Sequence, residues 1–84
     1  MKGGITMMKI EKLITNEMAA TRSVILTSGH TSKDKMRRLD EDMIRLRAIV
    51  TGAEVSGGIS ESKADSYRDS ISDWYYDLQA IIEG

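Results

Sequence analysis

Two stretches decide the fold, 36-MRRLDEDMIRLRAIVTGA-53 and 64-ADSYRDSISDWYYDLQAI-81. In the first, Met36, Leu39, Met43, Leu46, Val50 and Ala53 are spaced three, four, three, four and three residues apart. In the second, Ala64, Tyr67, Ile71, Trp74, Leu78 and Ile81 repeat that spacing. Alternating steps of three and four hold apolar side chains on one stripe of a helix, the a and d positions of a heptad. Two matched stripes joined by a short glycine-containing link, 55-VSGGIS-60, predict an antiparallel helical hairpin over about 32–56 and 60–83.

Folding one stripe on the other writes out the layers. Ala53 meets Ala64 beside the turn, followed outward by Val50 with Tyr67, Leu46 with Ile71, Met43 with Trp74, Leu39 with Leu78 and Met36 with Ile81. Small residues fall where the chain reverses and large ones further out. Gly57 and Gly58 end the first of these helices, Ser60 or Ser62 caps the second, and Ile59 is placed to staple against Ala64. Gly52 lies inside its helix, costs about 1 kcal/mol relative to alanine, and predicts local fraying or bending.

Upstream, about 8–28 forms a further amphipathic helix, with Ile10, Leu13, Ile14, Met18, Thr21, Val24, Ile25 and Ser28 on one face. Gly29 is its expected cap, free to take positive φ, and Thr31 offers a hydroxyl N-cap to the next helix. On the hairpin's shoulder, Ile44, Tyr75 and Ile82 are apolar positions the seam does not use. The N-terminal helix docks there to complete a three-helix bundle, or a second copy does, giving an intertwined oligomer. The fold class expected is all-α.

Residues 1–7, 1-MKGGITM-7, are expected to be a flexible leader ahead of one helical domain at 8–84. Back-translated as AUG AAA GGA GGA AUU ACA AUG, they contain the Gram-positive ribosome-binding consensus just upstream of the Met7 codon. That reading gives a native start at Met7 or Met8 and a Gram-positive bacterium or its phage as source. The segment lacks the uninterrupted apolar stretch and cleavage site of a signal peptide, so the expected location is cytoplasmic, in the host cytoplasm if phage-encoded.

Composition narrows the function. The chain has 84 residues and no cysteine, which excludes disulfides, thiolate metal sites and thiol catalysis. A single histidine, His30, excludes a multi-histidine centre, and no run is apolar enough to cross a bilayer. So short a chain buries limited surface, which makes a homo-oligomer the expected state. The net charge of −1 gives no global pull toward nucleic acid or membrane, yet the ends differ. Residues 1–31 carry four basic and two acidic side chains, and residues 60–84 carry two and six.

Two surfaces emerge as candidate sites. The last helix carries Asp65, Asp69, Asp73 and Asp77 at intervals of four, with Tyr76 beside them at a position that has no structural need for an aromatic. Like charges at i,i+4 repel by a few tenths of a kcal/mol, so a basic protein partner would offset a standing cost. The ordinary alternative is a solvated face that aids solubility. The second surface is the basic start of the middle helix, where Lys33, Arg37, Arg38 and Arg45 suit an anion such as a nucleotide phosphate. Interleaved Asp34, Asp40, Glu41 and Asp42 neutralise those cations in the competing reading. Acids fanned over a convex helix do not converge on a metal ion, and Asp40, Glu41 and Asp42, being consecutive, point different ways. No cofactor, metal or catalytic residue is expected, and 28-SGHTSKDKMRR-38 makes a poor helix-turn-helix DNA reader.

The function expected is therefore binding without catalysis. A small regulatory protein acts by protein–protein contact, inhibiting a host immune or regulatory protein if phage-borne. The alternative is an oligomeric sponge that sequesters an anionic nucleotide through its basic middle helix.

Overall fold

The fold is a three-helix bundle, described by a computed structural model over residues 2–84, with side chains from residue 9 onward. Helix α1 spans Lys2–Thr27, α2 Ser32–Val55 and α3 Glu61–Glu83. At 1.5 Å per residue, helices of this length run about 35–39 Å. The molecule measures 44 × 18 × 15 Å, so the three lie lengthwise, side by side. The helix of α1 begins six residues before the expected bound at residue 8. The start-codon argument for residues 1–7 falls on residue 1 and on side chains outside the described residues.

Local chemistry sets the ends of the hairpin. Thr31 Oγ1 accepts the Asp34 backbone N–H at 3.2 Å, and Ser60 Oγ accepts that of Lys63 at 3.1 Å, each N-cap being extended with ψ near 160°. Helix α2 stops in a Schellman arrangement. Gly57 takes φ +82°, its N–H donates to Glu54 O at 3.1 Å, and the Gly58 N–H donates to Ala53 O at 2.8 Å. Gly57 therefore uses the conformation that only glycine adopts without strain.

Gly29 does not act as expected, since among the described residues Gly57 is the one with positive φ. The chain instead leaves α1 with the Ser28 N–H still bonded helically to Val24 O at 2.8 Å, then passes through Ser28–His30 to the Thr31 cap. Helix α2 continues through Gly52 to Val55, so the glycine does not end it.

Most of both predicted seams is buried, with Met36, Met43 and Ala53 only partly so. Leu39, Leu46 and Val50 of α2 and Ala64, Tyr67, Ile71, Trp74 and Leu78 of α3 form the core, joined by Ile14 and Ile25 of α1 and Ile59 of the turn. Each fully buried Leu or Ile contributes about 1.5–3 kcal/mol. The seam departs from the heptad at its outer end, where Ile81 is 46% exposed and Ile82 packs on the core in its place. A straight helix drifts by about 20° per heptad relative to a strict 3.5-residue repeat, and the drift accumulated from Ala64 moves the buried stripe by one position. Leu13, 47% exposed, is likewise left at the edge of the α1 stripe.

The position of α1 corrects the shoulder expectation. Antiparallel pairing gives the hairpin two grooves. One is closed by its own side chains: the Tyr75 hydroxyl donates to Asp40 at 2.6 Å, and Arg68 donates to Glu54 at 2.6 Å. Helix α1 occupies the other, where Asp42 and Ile49 flank the seam. Thr21 donates to Asp42, the Trp74 indole N–H donates to Met18 O at 3.1 Å, and Glu17 pairs with Arg45 at 3.6 Å. Ile44 is 64% exposed and is not covered by α1, while Tyr75 and Ile82 are half-buried against the hairpin core. The groove with a buried polar partner for Thr21 is the one α1 can fill without stranding that hydroxyl.

Candidate functional site

Helix α3 turns its acids outward. Asp65, Asp69, Asp73 and Asp77 are exposed, and Tyr76 between them is 64% exposed. Only Asp65 is paired among the described residues, with Arg68 at 3.1 Å. Arg68 is chiefly held by Glu54 across the hairpin at 2.6 Å, a hydrogen bond that pushes its pKa further up. Asp69, Asp73 and Asp77 have no ion-pair partner among the described residues, so their charge stands free.

Tyr76 sits on a braced neighbour. Its ring meets Tyr75 edge-to-face, with centroids 5.5 Å apart and an interplanar angle of 84°. The Tyr75 hydroxyl is tied to Asp40, and that bond to a carboxylate, more than burial, pushes its pKa up to about 12. Tyr75 therefore remains a protonated donor at neutral pH and holds the base on which Tyr76 rests.

The basic residues of α2 part company. Arg45 lies along the α1 interface between Glu17 and Asp42, at 3.6 and 3.7 Å. Lys33 is exposed on the first turn. Arg37 pairs loosely with Asp34 at 3.7 Å, and Arg38 donates from Nε to Asp42 at 2.9 Å. Of the four expected residues, only Arg37 and Arg38 share a site. They line a hollow of about 230 Å³ between the end of α1 and the start of α2, together with His30, Asp34 and Lys35 and the α1 residues Val24, Ile25 and Ser28.

Asp42 is the residue that sequence reasoning misplaced. It is 2% exposed and gathers three groups: Thr21 Oγ1 at 2.5 Å, Arg38 Nε at 2.9 Å and Arg45 at 3.7 Å. A buried carboxylate requires such donors, and arginines four residues before and three residues after are the signal that marks it. His30 and Lys35 lie in the basic stretch read as an anion site, whereas Ser28, read only as part of the α1 stripe, was missed because the hollow joins residues from two helix ends. Among the described residues, no three His, Asp or Glu side chains gather to hold a metal ion, and no helix is long and apolar enough to cross a membrane.

Compared with known proteins, the chain matches no family model, no curated protein and no solved structure.

Proposed function

We propose that this protein is a non-enzymatic binding module that occludes a basic surface of a protein partner with the outer face of α3. The observation that carries the reading is the row Asp69, Asp73 and Asp77, exposed and without ion-pair partners among the described residues, with Tyr76 standing in it on the braced Tyr75 ring. Exposed tyrosine adds contact area at small entropic cost, and unpaired carboxylates steer a cationic partner into place. A host regulatory or immune protein is the target this reading expects, and inhibition the expected effect. Ile44, exposed and not covered by α1, is the expected contact for a second copy.

The experiment compares host proteins retained by the immobilised wild type with those retained by an Asp69→Lys/Asp73→Lys/Tyr76→Ala variant, each over a salt gradient. A basic partner released by salt and absent from the variant column supports the reading. Retention of the same proteins by both columns overturns it.

A further inference from the structure

We propose that the hollow between the end of α1 and the first turns of α2 binds the phosphate group of a small phosphate monoester. The site is separate from the α3 face and does not depend on the reading given to that face.

Its most telling member is Ser28. The Ser28 Oγ is buried and has no hydrogen-bond partner, and the residue lines the hollow. Buried hydroxyls are nearly always paired, so an orphan on a residue that lines the hollow is a group that a bound ligand oxygen would satisfy. Lys35, half-buried on the same wall, has no ion-pair partner among the described residues. Arg38 spends only Nε on Asp42, leaving its Nη donors uncommitted. That bond also anchors the guanidinium, because Asp42 is 2% exposed and fixed from α1 by Thr21. Arg37 is bound only loosely by Asp34, and His30 supplies another ring nitrogen.

Charge favours an anion. Two helix ends of opposite partial charge meet here and offset one another, so the side chains decide. Lys35, Arg37 and Arg38 stand against Asp34 on the wall and Asp42 behind Arg38, three cations to two carboxylates, the second of which is shared with Arg45. Several donors of different reach, two of them guanidinium, match the multiple oxygens of a phosphate better than the two of a carboxylate. Val24 and Ile25 provide an apolar wall for the carbons of an ester. The hollow, about 230 Å³, is smaller than the roughly 300–1,000 Å³ of sites that enclose a drug-sized ligand. It therefore accepts the phosphate and its first carbons, while the remainder of the ligand extends from the mouth.

Thermal unfolding of the full chain, at matched ionic strength, is followed with inorganic phosphate, adenosine monophosphate and adenosine as probes. Both phosphate-bearing probes should raise Tm with concentration, and adenosine should not. Lys35→Ala and Ser28→Ala should each weaken the response, by about tenfold in apparent affinity for the lysine. Lys33→Ala, away from the hollow, should leave the response intact. No phosphate-dependent rise, a rise with adenosine alone, or a response unchanged in Lys35→Ala would each overturn the site. Neither tested position is in the core, and the ligand-free Tm of each variant shows that it is folded.

Discussion

Thr21 and Asp42, twenty-one residues apart, meet inside the protein at 2.5 Å, the threonine 0% and the aspartate 2% exposed. This bond joins α1 to the hairpin, and the same aspartate holds Arg38 and Arg45 on the α2 surface. It couples the packing of α1 to the placement of a cation at the hollow.

Breaking one side of that pair should cost more than replacing both. Thr21→Val or Asp42→Leu alone leaves a buried group short of a partner and should destabilise the protein by about 1–3 kcal/mol. The Thr21→Val/Asp42→Leu double variant should recover part of that loss, because neither residue then needs a hydrogen bond. Urea unfolding of the four proteins in the cycle measures the coupling.

Two glycines, one inside α2 and one just past its end, should respond in opposite directions. At Gly52 an added Cβ meets nothing within 4 Å and no left-handed φ is required, so Gly52→Ala should stabilise by about 1 kcal/mol. At Gly57 space is equally open, but φ is +82°, and Gly57→Ala should destabilise by about 1–2 kcal/mol. Shifts of Tm in opposite directions are the expected readout.

Tyr75 gives the fold an alkaline limit. Its pKa rises from about 10 in the unfolded chain to about 12 in the folded one. The group thus contributes stability that is fully present below pH 10 and is lost as pH climbs through 12. Tyr75→Phe should remove that component, so the stability of wild type and variant should converge across this window. The comparison cancels the titration of lysines, which the two proteins share.

The α3 face should be separable from folding. Asp69→Ala and Asp73→Ala remove like charges four residues apart from exposed positions, so each should change stability by no more than about 0.5 kcal/mol, in the stabilising direction. Circular dichroism melts of these variants check that any loss of partner binding reflects the surface and not the fold.

The sequence by itself determined the parts of this protein that depend on near neighbours. Steps of three and four placed Leu39, Leu46, Val50, Ile71, Trp74 and Leu78 in the core, because helical geometry converts spacing directly into facing. Thr31, Ser60 and the Gly57–Gly58 stop were legible for the same reason, since a cap satisfies backbone groups only a few residues away. The outward acids of α3 followed from the same periodicity.

Tertiary structure decided what required a choice between distant surfaces. The stripe of α1 fits either groove by hydrophobicity alone, and the burial of Asp42 against Thr21 distinguishes the two. The exchange of Ile81 for Ile82 accumulates from helical drift, and Arg45 lies between Glu17 and Asp42, outside the hollow that Arg37 and Arg38 line. The hollow with the orphan Ser28 hydroxyl exists only where the end of one helix meets the start of the next. Apolar burial is non-directional and leaves such choices open, whereas a buried polar group must find its partner and thereby selects one arrangement.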